Sequence, residues 1–193
     1  MSKDSFMDRR WLIATCVLCV GCSRTPTVNV ETEQPKPIST DFGRLPNILD
    51  DIRDSSAVVI YEGLPNEFWE PQLLEQEISQ QKTVRMRGYP FYEERLAPQG
   101  MDADQLTSLL SAQDSFHRFQ SQKKCGGYHA DYGIEWKKGD KTTLALISLE
   151  CGEVKFFGPR SELHCDLQSE AGQKLAQQLK TYQKKRPAAE SGE

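Results

Sequence analysis

The chain has 193 residues, with 24 lysines and arginines against 28 aspartates and glutamates, a formal net charge of −4 and a hydrophobic fraction of 37%. These proportions suit one globular domain with polar tails, and the acidic balance argues against nucleic acid as the main ligand, because phosphate neutralisation needs a basic surface. No Walker loop, dinucleotide fingerprint, zincin helix or nucleophile elbow occurs in the sequence, so no motif assigns a reaction class.

The chain starts with an export pattern. Arg9 and Arg10 precede Trp11 to Gly21, an apolar run of eleven residues. It is too short to cross a bilayer as a helix of about 20 residues and has the shape of a signal-peptide core. The run ends in Cys19-Val20-Gly21-Cys22, which resembles a bacterial lipobox, where small residues precede a cysteine that is diacylated on sulfur and becomes the mature N-terminus. The resemblance implies a signal peptide over 1–21 and Cys22 as the lipidated residue. The twin arginines resemble a Tat signal, but Asp8 and Leu12 fit that pattern poorly, so Sec export is expected. Cys19 stands where the pattern usually has Leu, and Met7 offers a second start. The competing expectations are a plain secretory peptide cut near Gly21 and a short buried helix. Several acyl chains on one residue, at about 0.8 kcal/mol per buried methylene, would anchor the chain stably.

Positions 22–45 read as the lipidated cysteine and a disordered tether. Pro26, Pro35 and Pro37 lie among Thr, Glu, Gln and Ser, and Val28, Val30 and Ile38 are too scattered for an apolar face. About 20 residues of such chain would span on the order of 25 Å.

A single domain is expected over 46–184. Ala57-Val58-Val59-Ile60-Tyr61 is a β-branched run, a short buried strand stopped by Gly63-Leu64-Pro65. Pro71 suits the first turn of a helix whose Leu73, Leu74 and Ile78 form an apolar stripe ending near Gln81. Lys82 to Arg87 alternates as a strand before a turn at Gly88-Tyr89-Pro90. Asp102 followed by Gln105 makes a capping-box pattern, and Leu106, Leu109 and Leu110 give the core face of a second helix. Tyr132, Ile134 and Trp136 then alternate with polar or small residues, Lys138-Gly139-Asp140 turns the chain, and Thr142 to Leu149 returns. A tight reversal at Cys151-Gly152 leads into Val154 to Phe157. A last helix from near Ser169 to Tyr182 sets Ala171, Leu175, Leu179 and Tyr182 on one stripe. The expected fold class is α+β, an antiparallel β-meander with about three packing helices, followed by a disordered charged tail over 185–193.

Three cysteines remain in the body: Cys125, Cys151 and Cys165. An oxidising compartment favours one disulfide and a leftover thiol. Cys125 precedes the Tyr132 strand and Cys151 follows the strand that returns beside it, so Cys125 with Cys151 is the favoured pair; Cys165 could replace either. The alternative chemistry is a Cys/His metal or thiol-redox site. Cys125-Gly126-Gly127-Tyr128-His129-Ala130-Asp131 gathers Cys, His and Asp within seven residues, and Cys151, His164 and Cys165 would complete a tetrahedral zinc set. No Cys-x-x-Cys pair supports it in the body. A Cys125 thiolate with His129 as base and Asp131 as orienter is a further option. Glu62, Glu93, Glu94, Asp131 and Glu135 include enough carboxylates for an acid/base pair, although most such groups are solvated. Phe68-Trp69 and Pro90-Phe91-Tyr92 are aromatic patches beside turns, suited to loop packing or to an interface.

Three stretches together carry a resemblance: Tyr61-Glu62-Gly63-Leu64-Pro65 with Phe68-Trp69-Glu70, Gly88 to Glu94 (Gly-Tyr-Pro-Phe-Tyr-Glu-Glu), and Cys125 to Tyr132 (Cys-Gly-Gly-Tyr-His-Ala-Asp-Tyr). From Val58 to Tyr182 the body resembles a family of small uncharacterised bacterial lipoproteins. Family members typically carry Cys-Phe-Gly-Cys-His-Glu on the second meander strand, where this chain reads Ser148-Leu149-Glu150-Cys151-Gly152-Glu153 and keeps only Cys151 and Glu153. A family metal cluster would therefore lack ligands here at Ser148 and Gly152. The resemblance implies the fold and the lipidation and transfers no activity.

The expectation is thus an exported lipoprotein of the bacterial cell envelope, with a small non-enzymatic binding or structural domain outside the cytoplasm. Its implied partners are the membrane, through the lipid anchor, and an envelope protein. No cofactor is implied, zinc at Cys125, His129, Cys151 and Cys165 being the alternative.

Overall fold

The computed structural model describes residues 37–98 and 100–187. The signal peptide, Cys22, the tether up to position 36 and positions 188–193 lie outside the described residues. A short 3₁₀ turn at Phe42–Arg44 leads into α1 (Leu45–Arg53). Then come β1 (Ala57–Glu62), α2 (Pro71–Gln80), β2 (Thr83–Met86), β3 (Tyr89–Tyr92), α3 (Met101–Ser111), β4 (Phe116–Arg118), β5 (Tyr132–Lys138), β6 (Lys141–Ser148), β7 (Glu153–Phe157), β8 (Glu162–Leu167) and α4 (Ser169–Leu179).

The fold is α+β. Six strands form one sheet in the order β1-β5-β6-β7-β8-β4, and β2-β3 form a separate hairpin. Every pairing is antiparallel. Alternation along the strands gives the large sheet two different faces. One carries Ile60, Ile134, Trp136, Ala145, Ile147, Val154, Phe156, Leu163 and Cys165, all buried against residues of α1, α3 and α4. The other carries Tyr61, Leu144 and Leu146 under Phe91 of the hairpin and Ala130 of the loop before β5.

Helix α1 was not expected, although Leu45, Ile48, Leu49 and Ile52 have helical spacing and are all buried. The tether boundary at 45 therefore needs correction, because Leu45 belongs to the core. Order reaches further back: the Ser39 carbonyl accepts from the His164 amide at 2.7 Å. The domain's far boundary also moves beyond 184, since Arg186 is held by the body.

Helix α2 lies where expected, but its stripe does not form core. Ile78 is 42% exposed, while Glu77 is buried and accepts a hydrogen bond from the Tyr92 hydroxyl at 2.8 Å. That bond holds the polar side of α2 inward, and burial together with Glu77 raises the Tyr92 pKa. The β2–β3 turn falls at Arg87-Gly88, both with positive φ, and Met86 pairs directly with Tyr89. This is the two-residue loop that matches strand twist, so Tyr89 and Pro90 sit in the strand rather than the turn. Asp102 does not cap α3, because the helix begins at Met101 after Gly100. The carboxylate is two positions inside the Gly100 cap and accepts instead from the Tyr182 hydroxyl. Strands β4 and β8 were also unanticipated, even though Leu163, Cys165 and Leu167 alternate cleanly with Glu162, His164 and Asp166.

Candidate functional site

The candidate site lies at the end of the large sheet, where β1 leaves it and β5 enters. The chain between β4 and β5 is fixed by a disulfide joining Cys125 to Cys151, with Cα atoms 5.5 Å apart. Gly126 follows with φ of +75°, and a Cβ there would come within 2.9 Å of the Phe68 and Trp69 rings. The aromatic pair therefore leans directly on the disulfide loop. Its turn is secured by Asn66, whose side-chain oxygen accepts from the amides of Phe68 and Trp69, while Glu70 accepts from the Asn66 amide. Even so, Phe68 is 59% and Trp69 57% exposed.

Beyond this turn, Gly63 donates its amide to the Asp131 carbonyl at 2.8 Å. A side chain at Gly63 would collide with the carbonyls of Ala130 and Asp131. The close approach of the two backbones places Glu62 and Asp131 at the same end of the sheet. Asp131 accepts from the Leu149 amide through Oδ2 and from Arg186 Nη1 through Oδ1, at 2.8 and 2.9 Å. Arg186 Nη1 also lies 3.5 Å from His129 Nε2, and His129 Nε2 is 3.8 Å from Asp131 Oδ1. Glu62, 3% exposed, accepts three consecutive backbone amides, those of Lys184, Lys185 and Arg186, at 2.8 to 3.0 Å. A cleft of about 1110 Å³ opens beside these groups, walled by Trp69, Glu70, Leu73, His129, Glu150 and Arg186 among others.

The electrostatics follow from burial. Desolvation lowers the His129 pKa, assisted by the Arg186 charge and opposed by Asp131. Burial alone would lower the Arg186 pKa, but the charge and hydrogen bond of Asp131 outweigh it and the net shift is upward. Burial raises Tyr132 to about 12, with Glu62 and Asp131 adding to the effect and Arg186 opposing it. Among the described residues the cleft wall offers no hydroxyl or thiol nucleophile beside His129. The arrangement is suited to holding a guanidinium and a run of backbone amides.

The proposed zinc ligands are not brought together. Cys125 and Cys151 are bonded to each other. Cys165 is a free thiol within the helix-side core, and burial followed by the Asp166 charge raises its pKa. His129 faces the cleft, while His164 lies on the hairpin side of the sheet with its Nε2 2.9 Å from Glu153. Among the described residues no group of three or more His, Cys, Asp and Glu side chains is placed to hold a metal ion. The pairing of Cys125 also removes the thiolate that a Cys125–His129 nucleophile would need.

His164 belongs to a second polar cluster. It stacks on Phe119 at 4.1 Å, and Lys123 bridges Asp166 and Glu153. Lys155 Nζ donates to the Tyr89 hydroxyl at 2.6 Å and sits 3.7 Å from the Tyr128 ring centre. Burial lowers the Lys155 pKa to about 8, against the pull of Glu153.

Of the candidate carboxylates, Asp131 lines the cleft and Glu62 holds the backbone of the segment whose Arg186 side chain Asp131 binds. Sequence reasoning missed Arg186, which stands in a segment with no hydrophobic period; its one local signal is the following Pro187. Comparison with protein-family models, with curated proteins and with solved structures finds no match to this chain. Among the described residues no helix is long and apolar enough to cross a membrane.

Proposed function

We propose that the protein is an exported lipoprotein, tethered to the bacterial envelope through Cys22, whose domain binds a ligand at the Asp131–Arg186 cleft without catalysing a reaction. The resemblance to small bacterial lipoproteins is part of this proposal. The observation that carries it is the Cys125–Cys151 disulfide, because such bridges persist in oxidising compartments and are rare in reducing ones. The charged, apolar, small-residue and cysteine order of 9–22 agrees with it. The cleft supports the binding half of the proposal: it combines fixed charges with an exposed aromatic wall at Trp69, the mixture of a few oriented polar groups and apolar surface that recognition sites use.

The test is the intact mass of the native protein. The expected product begins at Cys22, carries acyl chains, and partitions with membranes; Cys22→Ala leaves a water-soluble form. Native material that keeps its leader and bears no lipid would overturn the proposal. A thiol label applied to the oxidised protein should leave Cys125 and Cys151 unmodified.

A further inference from the structure

We infer that the Glu62–Asp131 face beside the cleft is a receptor for an extended basic peptide bearing an arginine, and that the chain's own segment from Lys184 to Pro187 docks on it in cis and forms one wall of the cleft. This rests on reading the cleft as the binding face. The docking of that segment has the two components of peptide recognition: main-chain capture, which is indifferent to sequence, and one side-chain pocket, which is not. Glu62 supplies the first by accepting three consecutive amides. Asp131 supplies the second, with its carboxylate fixed by the Leu149 amide and its free oxygen on the guanidinium. Lys184 and Lys185 themselves are exposed, and Lys185 reaches only Glu94 at 3.2 Å.

Two features separate this from simple closure of the fold. Glu62 is an almost fully buried carboxylate whose hydrogen bonds go to a segment contributing no apolar residue to either core cluster. The cleft also extends from Arg186 and Pro187 to Trp69, Leu73 and Glu150, a surface broader than the contacts that Lys184 to Arg186 make. Glu70 and Glu150 give the cleft wall an acidic character that suits a basic ligand. Because the tail leaves α4 only a few residues before the cleft, its effective concentration is high, and a competing peptide must displace it.

The experiment uses the full chain and a labelled synthetic peptide with the sequence of 182–189, prepared also with citrulline in place of arginine. Fluorescence anisotropy should give weak binding to the wild type and at least about tenfold tighter binding to Arg186→Ala, whose pocket is vacated. The citrulline peptide should lose at least about tenfold on that variant, as should the arginine peptide on the Arg186→Ala, Asp131→Asn double variant; charge-assisted hydrogen bonds of about 1.5–3 kcal/mol correspond to such factors. A folded Arg186→Ala chain that binds neither peptide, or both equally, overturns the inference. Should that variant fail to fold, hydrogen exchange at the amides of 184–186 in the wild type decides. Excess arginine peptide should accelerate exchange, and unchanged exchange overturns the inference. These outcomes concern the ligand alone; an unacylated protein with an intact leader would instead sink the tethered reading.

Discussion

The two faces of the large sheet are built from the same strands but use burial differently. The helix-covered face is mainly apolar, with Glu62 and Thr143 as buried polar residues on its strands, and the Trp136 indole donates to Thr107 at 3.2 Å. The face under the hairpin and disulfide loop mixes Leu144 and Leu146 with Lys155, Glu153, His164 and Asp166, each held by a partner. Buried polar groups are costly unless paired, and pairing fixes their geometry. The first face thus supplies stability that is sensitive to changes of volume, while the second trades part of that stability for a cluster of oriented polar groups.

The largest expected effect lies on the helix side. Phe156→Ala removes a fully buried ring that packs edge-on against Phe116 and should cost about 3–5 kcal/mol, read as a lower urea midpoint. A loss below about 1 kcal/mol would mean that this face is not the stability core. On the other side, replacing Cys125 and Cys151 together by serine should cost about 2–4 kcal/mol. The near-ultraviolet signal of Trp136 should stay native while proteolysis moves to the loop before β5. Cleavage elsewhere first would show that the two faces unfold together.

Lys155→Met should be close to neutral or stabilising near pH 7, because it removes an ammonium that burial disfavours. The sign is specific. With a folded pKa lowered to about 8 from 10.5, the lysine's contribution is fully present above 10.5 and lost as pH falls toward 8. The stability difference between the methionine variant and the wild type should therefore grow over that window and level off below it. A difference that is constant with pH would place the amine in water. The smallest effect is at His129, whose folded pKa is lowered from 6.5. Its contribution is present above 6.5 and declines as pH falls through the folded value. NMR titration should place His129 below 6.5, and Asp131→Asn should move it lower still by removing the opposing charge.

Much of the fold is legible from periodicity alone. The meander of β5, β6 and β7 and the stripes of α3 and α4 follow from residues repeating every two or every three to four positions. Helix α1 and strand β8 carry equally plain periods, but one lies beside the proline-rich tether and the other around a His-Cys pair that invites a chemical reading. Helix α2 shows the limit of that logic, since Leu73, Leu74 and Ile78 repeat correctly while the buried residue is Glu77. The Tyr92 hydroxyl that satisfies Glu77 belongs to another element, and no local pattern announces it.

The sequence by itself determined the acidic balance, the disposition of apolar residues into strands and helices, and the nearness of Cys125 to Cys151, because each depends on residues close along the chain or on one antiparallel return. The cleft was decided only in three dimensions. Glu62 meets the amide of Arg186 across 124 positions, and the strength of that meeting depends on excluding water, a property of the packed domain.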